Sequence, residues 1–138
     1  MSLLTKKSVY GLMAIYELYK QKDSLKPIQL KDISKSTNIP QSYLEQIFIE
    51  LKKANLIKSI RGARGGYVFN NNQRETLIKD VIIVLDGEIC TVKDGTKSAV
   101  FDLLFSEFDK KLTHIFDKPI SYIQNYEQML NNQMTYSI

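Results

Sequence analysis

A mainly α-helical fold carrying one small β-hairpin is predicted by three features of this 138-residue sequence. Apolar residues recur at helical spacing through most of the chain. Two short strand-forming runs, "LIKSI" and "YVF", lie close together near its middle. Between them sits "RGARGG", with three glycines and two arginines in six positions. That loop is too long for a two-residue turn, so its glycines must supply the unusual backbone angles.

The elements follow in order. "TKKSVYGLMAIYELYKQ" is a first helix capped by Thr5, with Val9, Leu12, Met13, Tyr16 and Tyr19 at helical spacing. A polar connector ends at Pro27. "IQLKDISKSTN" is a short second helix using Leu30 and Ile33, closed by Asn38. "IPQSYLEQIFIELKKANL" is the strongest helix: Pro40 suits its first turn, and Leu44, Ile47, Phe48, Leu51 and Ala54 form one stripe. Gln41, Ser42, Glu45, Gln46, Lys52 and Lys53 take its polar positions. Two helices joined by a short turn make a helix-turn-helix layout. The hairpin that follows turns it into a winged helix-turn-helix.

Beyond the hairpin, "NNNQRE" is a polar turn. "TLIKDVIIVLDG" is a fourth helix with Leu77, Val81, Val84 and Leu85 inward, its start marked by Thr76 or by Arg74 and Asp80. Its β-branched run leaves a strand open as the alternative. "EICTVKDGTK" is a loop. "SAVFDLLFSEFDKKLTHIFD" is a long helix with Phe101, Leu104, Phe105, Phe108, Leu112, Ile115 and Phe116 on one face. A last helix restarts at Pro119, and "NNQMTYSI" is expected to be loose. The expected division is a winged domain over 1–75 and a helical linker and dimerisation region over 76–138. The phenylalanine-rich face suits a second copy of the chain, with packing onto its own domain as the alternative.

Charge is distributed unevenly. Residues 1–74 hold thirteen Lys/Arg against five Asp/Glu, whereas residues 75–138 hold six against ten. No acid occurs between Glu50 and Glu75, a stretch holding Lys52, Lys53, Lys58, Arg61, Arg64 and Arg74. Such a stretch reads either as a polyanion-binding surface or as a solvated basic face. No apolar run is long enough to span a membrane, and the first residues lack a signal-peptide layout, so a cytoplasmic protein is expected. Cys90 and His114 are single, which excludes an intrachain disulfide and an all-cysteine metal site. "GARGGY" lacks the Lys-Ser/Thr of a phosphate loop and enters a strand instead of a helix. No catalytic constellation accompanies it, so an enzyme is not expected.

The segments "LTKKSVYGLMAIYEL", "LKDISKSTNIPQSYLEQIFIELKKANLIKSIRGARGGYVF" and "KDVIIVLDG" resemble the Rrf (BadM/IscR-type) family of bacterial winged-helix transcription regulators. By position, the resemblance implies a recognition helix presenting Ser42, Tyr43, Glu45 and Gln46 to a DNA major groove, with Gln41 beside them. It makes Arg61, Gly62, Arg64, Gly65 and Gly66 the wing, and brings Thr5 and Lys6 near phosphates. Side-chain chemistry agrees: Gln and Arg pair with adenine and guanine edges, and Glu accepts from cytosine. Ser42 and Glu45 also read as a capping box, Tyr43 as half core, and Gly65 and Gly66 as demands of turn geometry alone.

The sequence departs from that family in two places. Cluster-bearing members carry three cysteines after the fourth helix, where this chain has Cys90 alone. Clusters need about four ligands, so no cofactor is expected. The other readings are an atypical cluster held by Cys90 with Glu88, Asp94 or His114, a redox switch at Cys90, and an inert thiol. In the wing, Ala63-Arg64 replaces the family's usual Pro-Gly and adds a charge. The expected function is a homodimeric DNA-binding regulator, a repressor on a pseudo-palindromic operator. A protein-binding adaptor on the same fold is the rival, and it has no need of Arg61 and Arg64.

Overall fold

The computed structural model describes residues 1–24, 26–71 and 74–136. Helix α1 (Lys6–Lys20) begins at Thr5, whose hydroxyl accepts the Ser8 N–H at 3.2 Å, the expected cap. Its buried face matches the expected one only in part: Tyr16 is buried and Leu12 and Tyr19 pack against the core. Gly11, Ala14, Ile15 and Leu18 point inward, while Val9 and Met13 are 40% and 39% exposed. Apolar residues lie on several sides of this helix, so periodicity alone could not choose a face. The small residues mark it, because they let the fourth helix approach closely.

Helix α2 (Leu30–Thr37) ends as expected at Asn38, which adopts a left-handed φ of 61° and donates its N–H to the Ser34 carbonyl at 2.8 Å. Ser34 also donates its hydroxyl to the Ile39 carbonyl at 2.5 Å, which ties the turn to the helix before it. Helix α3 (Gln41–Lys53) follows Pro40 and buries Leu44, Ile47, Phe48 and Leu51 completely. Ala54 does not join that stripe; it caps the helix and is exposed.

Strands β1 (Ile57–Ile60) and β2 (Gly66–Phe69) pair antiparallel, Ile57 opposite Phe69 and Ile60 opposite Gly66. A third extended segment joins them: Ile28 and Tyr67 exchange two backbone hydrogen bonds of 2.9 and 2.8 Å. Local sequence does not announce this pairing, because it joins residues far apart in the chain. Tyr67 then packs edge-on against Phe48 at 4.8 Å, and Phe69 against Tyr19 at 5.4 Å. The hairpin is thereby anchored to both α1 and α3.

At the wing tip, Gly65 donates to the Gly62 carbonyl at 2.9 Å and is itself buried. A Cβ there would lie 2.2 Å from the Ile60 carbonyl oxygen, and one on Gly66 would lie 2.6 Å from that of Ile28. Both neighbours are backbone, which cannot turn aside as a side chain would. Gly65→Ala is expected to destabilise the fold by about 1–3 kcal/mol, the usual cost of forced backbone strain. Urea unfolding beside an Ala63→Ser control measures it; a midpoint as high as the control's would show that the tip has another conformation.

Helix α4 (Ile78–Asp86) closes the strand alternative. Val81, Ile82 and Leu85 are buried, with Ile82 taking the inward role expected of Val84; Leu77 and Val84 are half-buried. Its start is marked by Asp80, which accepts the Leu77 N–H at 2.8 Å and pairs with Arg74 at 3.3 Å. Residues 116–120 zip onto this helix start through Ile78 N–H to Lys118, Lys79 N–H to Phe116, and Ile120 N–H to Thr76. Ile120 enters the core cluster together with Val81 and Leu85, so one core crosses the boundary expected at 75/76.

Helix α5 (Ala99–Ile115) is capped by Ser98 and buries no residue. A 3-10 turn (Ile120–Tyr122) leads into α6 (Ile123–Tyr136). The expectation of a loose end is corrected here, because 131–136 continue α6; residues 137 and 138 lie outside the described ones. Tyr16 donates its hydroxyl to Glu127, joining α1 to α6, and burial together with that carboxylate pushes the tyrosine pKa up. Of the polar turn expected over 70–75, residues 72 and 73 lie outside the described ones. Among the described residues, no helix is long and apolar enough to cross a membrane.

Candidate nucleic-acid interface

The stripe that anchors α3 in the core leaves its opposite face to solvent. Gln41, Ser42, Glu45 and Gln46 are all exposed there, and none makes a side-chain hydrogen bond or ion pair among the described residues. The capping box read from Ser42 and Glu45 does not form. The helix begins two residues earlier than that box requires, after Pro40, with no side-chain cap. Glu45 is therefore free to accept from a donor outside the chain. Tyr43 is half-buried with its ring edge-on to Tyr10 at 5.3 Å, so it serves packing at least in part. The exposed row continues to Ile49, which is 57% exposed one turn beyond Glu45 and Gln46. Sequence reasoning passed over Ile49; its signal was an apolar residue out of phase with the buried stripe. Such a residue suits contact with a thymine methyl group.

The wing carries its charges at the tip. Arg61, Gly62, Ala63 and Arg64 are exposed, and neither arginine has a carboxylate partner among the described residues. Gly65 and Gly66 are explained by the close backbone approaches described above. Of the tip's three glycines, Gly62 is the exposed one, with nothing near the place of a Cβ.

At the start of α1, Thr5 is already engaged. Its hydroxyl donates to Asp86 Oδ1 at 2.6 Å and its N–H to Oδ2 at 3.3 Å, joining α1 to the end of α4. Lys6 is exposed, while Lys7 pairs with Glu50 of α3 at 2.6 Å. Of the two residues expected near phosphate, Lys6 has the free charge.

Burial alone would raise the Asp86 pKa. The nearby Ser8 hydroxyl and the two hydrogen bonds from Thr5, helped by the Lys7 charge, outweigh it and hold the carboxyl below its ordinary 3.8. A depressed folded pKa stabilises the fold fully above the ordinary value, and that stabilisation is lost as pH falls through the folded pKa. Asp86→Asn is expected to lower the melting temperature at neutral pH, and the two proteins' values should converge in strong acid. Thermal melts across the acid range check this; a constant difference at every pH would assign the effect to packing.

Cys90 is exposed with a free thiol, in the loop between α4 and α5. That loop is tied to α5 by two carboxylates: Asp109 accepts the Thr91 N–H and Asp102 the Thr96 N–H, each at 2.6 Å. On α5, Phe101, Leu104, Phe108 and Ile115 are exposed, and Phe105 and Leu112 half-buried. The rings of Phe101, Phe105 and Phe108 form a ladder with 6.1 and 6.3 Å between centroids. Val100 and Leu103, outside the face expected from periodicity, are about three-quarters exposed beside them.

Comparison with known proteins agrees with this arrangement. The family described as "Rrf2: Iron-dependent Transcriptional regulator" matches residues 4–118. The HTH-type transcriptional regulator CymR of Bacillus subtilis is 41% identical over 90 residues, covering 65% of this chain and 64% of that protein. The HTH-type transcriptional regulator IscR of Photorhabdus laumondii is 30% identical over 143 residues, covering 94% of this chain and 80% of its own. The solved structure of B. subtilis CymR, titled the global cysteine regulator, superposes with a TM-score of 0.79 at 31% identity over 91% of this chain and 98% of that one. The family description names iron, but the donors present do not fit a cysteine-held cluster. The whole chain has one cysteine, and among the described residues no three His, Cys, Asp or Glu side chains gather where they could hold a metal.

Proposed function

This chain belongs to the Rrf2 family of DNA-binding transcriptional regulators, and we propose that it acts as a homodimeric repressor occupying a pseudo-palindromic operator. Each subunit places α3 in a major groove, where Gln41, Ser42, Glu45 and Gln46 meet base edges, and lays the wing alongside with Arg61 and Arg64 on the backbone or in the minor groove. Lys6 adds a phosphate contact. The observation that carries this reading is the exposed polar row on α3, which serves no partner among the described residues. Two-fold pairing through α5 doubles these contacts and matches a symmetric operator. No step in this reading runs through a cluster, since one thiolate cannot hold it; anaerobic purification with an iron assay tests that point.

Selection of bound sequences from random DNA tests the reading of bases. The wild type is expected to recover an inverted repeat. Glu45→Gln is expected to change the preferred base at one position in each half-site, with about 1–3 kcal/mol of discrimination moved. Its salt dependence should stay essentially unchanged, because every phosphate contact is kept. Enrichment of no sequence over random DNA would overturn the proposal.

A further inference from the structure

Behind the wing lies a half-open cleft of ≈ 470 Å³. One wall is the outer face of the hairpin, where Lys58 stands opposite Val68 and Ile60 opposite Gly66. Tyr67, adjacent to Val68 and so on the other face, is the residue that packs on Phe48 of α3. The cleft wall therefore turns away from the recognition helix. The opposite wall is the connector between α1 and α2, held in place by the Ile28–Tyr67 pairing and by Asn71, whose side-chain amide donates to the Lys22 carbonyl at 3.3 Å.

Four cations, Lys22, Lys58, Arg61 and Arg64, line this cleft, and among the described residues no acid does. Lys22 pairs with the exposed Asp23 at 3.5 Å and lies over the Tyr19 ring at 5.4 Å, and the other three have no carboxylate partner among the described residues. Between the cations, Pro27, Ile60 and Val68 present an apolar wall. A sugar–phosphate backbone has no use for that wall, whereas a charged head on a short apolar body uses both parts. We propose that the cleft binds a small amphiphilic organic anion, a carboxylate or phosphate on a hydrocarbon body, and that its occupation withdraws Arg61 and Arg64 from DNA. The binding site stands on the cleft itself; the competition with DNA rests on the wing reading proposed above. Signal and release are then coupled through two shared guanidinium groups, without any movement of α5.

The test titrates hexanoate, inorganic phosphate and hexylammonium into the full chain, following backbone amides of Lys58, Ile60 and Val68 by NMR. The same titrations are made on the protein–DNA complex at constant ionic strength. Hexanoate is expected to shift those amides in the millimolar range and to weaken DNA binding on the order of tenfold at saturation, and hexylammonium to do neither. Val68→Gln or Ile60→Gln, whichever retains the wild-type circular dichroism, should lose the hexanoate response while binding DNA as before. No shift with hexanoate, or phosphate acting as strongly as hexanoate, would overturn the site, the second result marking a bare phosphate seat. Hexanoate bound with DNA affinity unchanged would overturn the competition. Failure of the wing reading itself shows separately, as an unchanged salt slope in the Arg61→Gln/Arg64→Gln protein with hexanoate binding still measured in the wild type.

Discussion

Arg61→Gln combined with Arg64→Gln is expected to weaken operator binding on the order of a hundredfold at low salt while leaving the fold intact. Both side chains are exposed and neither has an ion-pair partner among the described residues, so their removal leaves no orphaned charge behind. Removing one arginine–phosphate pair should flatten the slope of log affinity against log salt by about 0.9. Two arginines per subunit, in a dimer, would flatten it by roughly 3.6 if all of them touch phosphate. Affinity measured at several salt concentrations separates the possible roles of the two residues. A smaller change of slope with a strong loss of affinity would assign one arginine to a base edge in the minor groove. An unaltered slope and affinity would remove the wing from the interface and favour the adaptor reading.

The second large effect is expected from Phe101→Asp combined with Leu104→Asp. No residue of helix α5 is fully buried and both Phe101 and Leu104 are exposed, so carboxylates at these positions meet water in the isolated subunit and cost its fold little. In a dimer they would be buried without partners, at a penalty of several kcal/mol. Sedimentation or light scattering should show a monomer that retains wild-type circular dichroism. Operator affinity should then fall by about 10²–10⁴, the advantage that a joined second half-site provides. A variant that stays dimeric would place the contact elsewhere, with the exposed Val100 and Leu103 as the first alternative surface.

Much of the fold is legible in the sequence because it is written locally. The Asn38 turn, the Pro40 start, the Leu44–Leu51 stripe and the glycine-rich hairpin tip each follow from neighbours a few residues apart. The face of α1 was legible only in part, since Val9 and Met13 are as apolar as the buried Ile15 and Leu18. Only the arrival of α4 distinguishes them. The same holds for the end of the chain, where the mostly polar residues 131–136 continue a helix that polarity alone did not suggest.

The candidate site divides along the same line. Spacing put Gln41, Ser42, Glu45 and Gln46 on the polar side of their helix and composition marked Arg61 and Arg64 in an acid-free basic stretch, while their roles toward DNA came from the family resemblance. Whether Glu45 caps its helix, whether Thr5 has a free hydroxyl, and which glycines are structural depended on partners distant in sequence. Asp86 claims Thr5 from 81 residues away, and Ile28 closes on Gly66 across the connector. Local propensity and pattern thus set the elements and the chemistry carried on them. The tertiary structure alone decided which polar groups are already engaged within the fold and which remain free for DNA, since engagement is a matter of distance in space and not of spacing along the chain.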